Sequence, residues 1–314
     1  MFLPLLLAPW RGWKPHLRKH CRATSGGAAS CRAIAEEVSM GVQFLRECVI
    51  SPRDDARCPR GWKPHLPMLP PMNWLLLEPS DVPAGAPVLL RGEQARHARE
   101  VLHAAPGQRL RLGIVAGPLG SGEVLGTDPD GTIRLRAEWE PAPPPRPRID
   151  LLLAMPRPKV MRRLWPVLAS LGVGRIFIAN AWKVERGYFD TPALDPTTIR
   201  EGLLEGLRQA GDTLLPEVTI HRRLRPLVED VLPSLPPHAN RWIAHPDAST
   251  STPLPSLSSP ARTLLAIGPE GGWIPDEVAL FRRHGFAPLS LGPRILRTDT
   301  ACAVLLGLLH AAGA

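Results

Sequence analysis

Between residues 73 and 140 short apolar runs alternate with clusters of turn-forming residues. The runs at 74–77, 88–90, 109–115, 122–125 and 132–138 read as strands. Pro79-Ser-Asp81, Ala105-Pro-Gly107, Gly117-Pro-Leu-Gly-Ser-Gly122 and Asp128-Pro-Asp-Gly131 separate them as turns. One short helix is predicted over 94–103. Strands packed this closely in so short a unit favour a small β-barrel. The barrel unit, 72–140, ends at Pro141-Ala-Pro-Pro-Pro-Arg-Pro147, so 141–148 reads as a stiff, extended linker.

The rhythm changes at Ile149. Strands are predicted over 149–154, 175–180, 217–221, 241–244, 264–267 and 286–291, and helices over 159–171, 196–210, 275–284 and 298–312. Strands that alternate with helices form a parallel sheet covered on both faces, so 149–314 reads as an α/β domain. Ligands in such sheets bind beyond the carboxyl ends of the strands, which directs attention to the loops after Ile267 and Leu291.

Composition separates these two units from the first seventy residues. The whole chain carries a net charge of +9, but residues 1–71 hold 11 Lys+Arg against 5 Asp+Glu, a net of +6. The remainder holds 27 against 24, a net of only +3, so bulk charge cannot establish nucleic-acid binding by the folded part. Residues 1–71 also contain Cys21, Cys31, Cys48 and Cys58, and the heptapeptide Arg-Gly-Trp-Lys-Pro-His-Leu occurs identically at 11–17 and 60–66. Two copies are too few for a solenoid, tight Cys-x-x-Cys pairs are missing, and 34–48 is the best helix candidate there. This segment reads as a disordered extension or an over-called start, with translation beginning at Met72. No stretch approaches the roughly 20 apolar residues of a membrane span, and the chain reads as cytoplasmic and globular. Cys302, in an apolar run, reads as a buried thiol. His221, Trp242 and His245 form no metal or catalytic set, and no metal is expected.

Two segments carry the chemistry. Ala266-Ile-Gly-Pro-Glu-Gly-Gly272 joins a strand to a helix, and its three glycines allow close backbone approach or positive φ. Alone it is an ordinary strand-to-helix turn, and it lacks the Lys-Ser/Thr of a P-loop and a GxGxxG. The second segment, Leu289-Ser-Leu-Gly-Pro-Arg-Ile-Leu-Arg-Thr-Asp-Thr-Ala301, places a Gly-Pro turn and two arginines before a capped helix.

In this order and at this separation, the two segments resemble the C-terminal signature of the SPOUT methyltransferases. Within that class the chain is most similar to the RsmE family, which methylates N3 of a uridine in 16S ribosomal RNA. His97, Val101-Leu102 and Gly107 resemble that family's PUA-like barrel. Leu171-Gly-Val173 with 175–178 resembles its first helix-to-strand crossing, and Gln209-Ala-Gly-Asp-Thr213 with Leu215-Pro-Glu-Val218 resembles one of its branches. The likeness spans about 73–312. It implies a trefoil-knotted parallel sheet with helices on both faces, a homodimer, and S-adenosylmethionine (SAM) held in the knot largely by backbone groups. Carried onto this chain, the donor residues are Leu265, Ile267, Gly268, Glu270, Gly272, Leu291, Gly292, Ile295, Leu296 and Thr300. The chain departs from the family's pattern at Asn73 and Trp74, Val167, Ser170, Asp212 and Asp299.

The implied reaction needs a uracil N3 aligned with the donor methyl and relieved of its proton. Arg297 is the first candidate to stabilise charge spreading onto the flanking carbonyl oxygens, and Arg294 the second. Glu270 could take the proton, hold the base or shape its loop. N3 lies on the Watson–Crick edge, so the target must be unpaired or extruded RNA of the small ribosomal subunit. Arg91, Arg96, His97, Arg99, Arg109 and Arg111 are candidate RNA contacts on the barrel, each equally readable as part of a solvated face. Alternatives are another SPOUT reaction, at ribose 2′-O or guanine N1, and a non-catalytic ribosome-assembly factor.

Overall fold

A computed structural model describes residues 74–83, 85–245 and 261–311. The extension 1–71, with its heptapeptide repeat, four cysteines and expected helix over 34–48, lies outside the described residues, as does Asn73.

The N-terminal unit contains β1 (Leu75–Leu77), β2 (Val88–Leu90), α1 (Gly92–Glu100), β3 (Arg109–Ile114), β4 (Leu119–Thr127) and β5 (Ile133–Trp139). Its five strands are ordered β1-β3-β4-β5-β2. The β3-β4-β5 meander and the β2–β5 pair are antiparallel, whereas β1 joins β3 in parallel. Period-two alternation turns Leu110, Leu112, Val124, Ile133 and Leu135 inward, where Ala95 and Ala98 of α1 cover them. The boundaries match the sequence pattern to within a few residues; the long-range partners, including the parallel edge, were not expected.

The second unit is a six-stranded, all-parallel sheet: β6 (Ile149–Ala154), β7 (Val173–Ala179), β8 (Glu217–His221), β9 (Asn240–Ala244), β10 (Thr263–Ile267) and β11 (Ala287–Leu289), in the order β11-β9-β10-β6-β7-β8. β6 and β10 are buried along their whole length, which is why they read as apolar runs rather than alternations, interrupted only by Asp150 and Thr263. The helices are α2 (Pro158–Ser170), α3 (Pro196–Ala210), α4 (Pro275–Arg283) and α5 (Thr298–Ala311). Between β8 and β9 lie short helical turns at Leu224–Pro226, Leu227–Val231 and Leu232–Ser234, which the periodicity did not reveal. The last element, α5, packs against α2, β6 and β10.

The segment 211–213 ties the two units together. Gly211 closes α3 in the left-handed conformation (φ 74°), and Asp212 Oδ1 then accepts the amides of Thr213 (2.6 Å) and Leu214 (3.0 Å). Fully buried Thr213 donates its hydroxyl to the Gly117 carbonyl at 2.6 Å and accepts the Ala116 amide at 2.8 Å through its own carbonyl. Asp212 is thus the acceptor that shapes this docking turn.

At the amino ends of the parallel strands the sheet is closed by buried charge. Asp150 on β6 accepts hydrogen bonds from His238 Nε2 (2.7 Å) and Arg262 Nη2 (2.6 Å), joining the starts of β6, β9 and β10. No helix of the described residues is long and apolar enough to cross a membrane.

Candidate active site

At the opposite end of the sheet, β9, β10 and β11 finish side by side, and the chain beyond each opens into one cleft of about 240 Å3. Its floor is Ala244-His245 and Ile267, and one wall is the loop Gly268–Trp273. The other wall is Leu289–Gly292 with Arg294, Ile295 and Leu296, backed by Thr298, Ala301 and Leu305 of α5. Two glycines make these bends possible. Gly272 (φ 69°) closes a turn in which its amide donates to the Pro269 carbonyl at 2.8 Å, and Gly292 has φ 98°. Trp273 is buried edge-on against Phe281, with ring centroids 4.9 Å apart, and anchors the first loop to α4.

The cleft has the character of a nucleoside site. Its lining is mainly aliphatic and backbone, Ile295 and Leu296 expose apolar surface at its mouth, and the buried Nε1 of Trp273 has no hydrogen-bond partner.

A second chamber of about 210 Å3 adjoins it, lined by Arg157, Val160, Glu270, Arg297, Thr298 and Asp299. Glu270 and Thr298 belong to both chambers. Here charged side chains replace backbone. Glu270 Oε1 accepts the Arg157 amide at 3.1 Å, Arg297 Nε lies 4.0 Å from Asp299 Oδ1, and Arg163 Nη2 lies 3.8 Å from Asp299 Oδ2. Lys183, in the loop after β7, donates Nζ to the Gly271 carbonyl at 2.6 Å. The buried Glu277 carboxylate holds that loop, accepting the Trp182 amide (2.8 Å) and the Ile274 amide at the head of α4 (3.0 Å). Tyr188, further along the chain after β7, donates its hydroxyl to Glu185 at 2.9 Å. Burial, followed by its hydrogen bond to Glu185, raises its phenol above the ordinary value.

Of the ten residues expected to hold the donor, Ile267, Gly268, Glu270, Gly272, Leu291, Gly292, Ile295 and Leu296 line the first cleft. Leu265 is buried in the sheet behind it, and Thr300 is exposed on α5, where Thr298 and Ala301 form the wall instead. Arg294 lines the first cleft, Arg297 the second chamber, and Glu270 both. His245, read from sequence as structural, belongs to the cleft floor. Arg157 and Lys183 were not singled out; Arg-Pro at a strand-to-helix junction was the available signal for the first.

The N-terminal arginines are largely engaged within their own unit. Arg96 pairs with Glu93 at 2.5 Å, Arg109 with Glu138 at 2.5 Å and Ser121 at 2.7 Å, and Arg99 donates to the Gly131 carbonyl. Arg111 stacks over Trp74, 5.5 Å from the ring centroid. Arg91 is exposed, and His97 is half-buried on α1. Burial pushes the Cys302 thiol up to about 12, which removes it as a nucleophile at neutral pH. Among the described residues no three His, Cys, Asp or Glu side chains gather as a metal site.

Residues 143–310 match the family described as RNA methyltransferase domain. Ribosomal RNA small subunit methyltransferase E of Treponema pallidum is 30% identical over 246 residues, covering 76% of this chain and 92% of that protein. The protein of the same name from Mycobacterium bovis is 28% identical over 228 residues, covering 71% and 86%. Among solved structures, a methyltransferase from Legionella pneumophila in complex with bound SAM is 25% identical with a TM-score of 0.58, covering 77% of this chain and 98% of that one. A ribosomal RNA small subunit methyltransferase E from Neisseria gonorrhoeae, bound to S-adenosyl methionine, has a TM-score of 0.62 at 20% identity, with the same coverage.

Proposed function

The chain belongs to the RNA methyltransferase family of the ribosomal RNA small subunit methyltransferases E, and from that premise we propose that it methylates N3 of a uridine in 16S ribosomal RNA, using SAM. The observation that carries the reading is the convergence of both glycine-bearing bends on one apolar cleft beside a charged chamber with a shared wall.

The first cleft fits the donor: aliphatic side chains for an adenine, backbone of the 268–272 and 290–292 bends for its polar edges, and no cationic cradle for phosphates. Ile267, Gly268, Gly272, Leu291, Gly292, Ile295 and Leu296 would hold it, with His245, Thr298 and Ala301 completing the walls. When bound, SAM supplies an electrophilic methyl group on a sulfonium. The protein's own work is on the acceptor. Glu270 accepts the N3 proton of a uracil in the second chamber, and the Arg157 amide on its Oε1 holds the carboxylate in place. Arg297 stabilises the negative charge that spreads onto the flanking carbonyl oxygens, and Arg294 screens the mouth of the donor cleft. Asp299 orients Arg297 without approaching closely enough to neutralise it.

The finer architecture follows the same reading. The unit 72–140 is the family's PUA-like barrel, 141–148 a linker and 149–314 the catalytic domain. Segment 290–297 passes through the loop region to form a trefoil knot, an arrangement supported by the placement of β10 between β9 and β6 and of α5 against α2 and β6. Beyond Thr300, the exposed face of α5 is apolar (Ala303, Val304, Gly307, Ala311), which supports a homodimer that covers it.

The purified chain, incubated with methyl-labelled SAM and unmodified small ribosomal subunits, is expected to yield labelled 3-methyluridine by nucleoside mass spectrometry. Label at a ribose or a guanine, or none at all, rejects the proposal.

A further inference from the structure

Trp182 is the only exposed aromatic side chain among the described residues, with 79% of its surface in solvent. Its position is fixed all the same. Glu277 holds its amide at 2.8 Å, and the flanking Ala181 and Val184 are buried. The next residue, Lys183, lies along Gly271 and donates to that carbonyl at 2.6 Å, one residue from the Glu270 wall of the charged chamber. The indole is therefore displayed by a loop anchored at α4 and at Gly271, next to the Glu270 wall that the two chambers share. A soluble chain normally buries such a surface or uses it for binding.

The charges nearby indicate the partner. The start of α2 exposes Arg157, Lys159, Arg162 and Arg163 with no acidic residue on that helix, and Arg157 also lines the acceptor chamber. Arg186 is exposed four residues beyond Trp182. This combination of a cationic surface and one rigid aromatic plane suits single-stranded RNA, whose phosphates need cations and whose unstacked bases need a flat partner. Extruding a base for methylation leaves its neighbour with one face unstacked.

We propose that Trp182 is the stacking platform for the base of a nucleotide adjoining the methylated one, with the start of α2 carrying the phosphates that flank it. The inference rests on the RNA-methylating reading and adds to it where the acceptor strand runs. Binding is therefore placed mainly on this rim rather than on the N-terminal arginines.

The test uses the full chain with fluorescein-labelled oligouridylate. Trp182→Ala is expected to weaken binding about tenfold, within the range of single base–aromatic contacts. Trp182→Phe keeps a ring and retains most of the affinity. RNA quenches tryptophan emission in the unaltered chain, and Trp182→Phe loses that quenching while still binding. SAM affinity by calorimetry and mass by sedimentation stay as they are in both variants. Equal RNA affinity in Trp182→Ala, while the unaltered chain transfers methyl to small subunits, overturns the platform alone. A loss of mass in Trp182→Ala also overturns it, because the indole would then be a contact between copies. If the unaltered chain transfers no methyl, the methyltransferase reading falls first and this inference with it.

Discussion

The two chambers at the carboxyl edge of the sheet adjoin one another yet are built from different materials. The first is walled by glycine bends and aliphatic side chains; the second is walled by Arg157, Glu270, Arg297 and Asp299. The difference follows the ligands proposed for them. A cofactor that arrives already activated needs shape and hydrogen-bonding backbone. An acceptor that must lose a proton needs charge placed where charge will develop. Substitutions should separate the two accordingly.

The largest effect is expected at Arg297. Arg297→Ala should lower kcat about a hundredfold, as loss of one charge-stabilising donor typically does, while calorimetry finds SAM affinity unchanged. Unchanged turnover would remove Arg297 from the mechanism; lost SAM affinity would dissolve the division between the chambers. Gly292→Ala tests the other side. A Cβ at φ 98° strains the bend, and such strain of about 1–3 kcal/mol should weaken SAM binding roughly tenfold. An equal affinity would show that this bend does not shape the donor site. A smaller effect is expected far from both chambers. Arg109→Ala removes a guanidinium already held by Glu138 and Ser121, so the affinity for oligouridylate should change by less than about twofold, as for other exposed ion pairs. A tenfold loss would return the N-terminal unit to the centre of RNA recognition.

The smallest effect concerns stability. Burial, and then the charge of Arg148, lowers the pKa of His310 below the ordinary 6.5. The folded chain therefore binds fewer protons than the unfolded chain as pH falls through 6.5, and stability declines in that window, levelling off only below the folded value. His221, lowered by burial, acts in the same direction. Thermal melts of His310→Gln between neutral and mildly acidic pH should have a shallower slope than those of the unaltered chain. An identical slope would assign the acid sensitivity elsewhere.

Much of this was legible because it is local. β6 and α3 follow directly from a mainly apolar run and a helical period. The two glycine-bearing bends are visible as punctuation after strands, and eight of the ten residues proposed for the donor line one cleft. What was not legible depends on neighbours distant in the chain. His245 reaches the cleft only because β9 pairs with β10, and nothing in either strand announces that pairing. Arg109 looks like a free cation until Glu138, 29 residues away, is set across from it. Nothing in the sequence around Trp182 shows that folding leaves it outside.

Glu270 and Thr298, shared by both chambers, would stand as a partition between the two ligands proposed. Any restraint that one ligand places on the partition is part of the affinity of the other, and the coupling must run equally in both directions. Whatever factor the cofactor adds to the grip on RNA, the RNA adds to the grip on the cofactor.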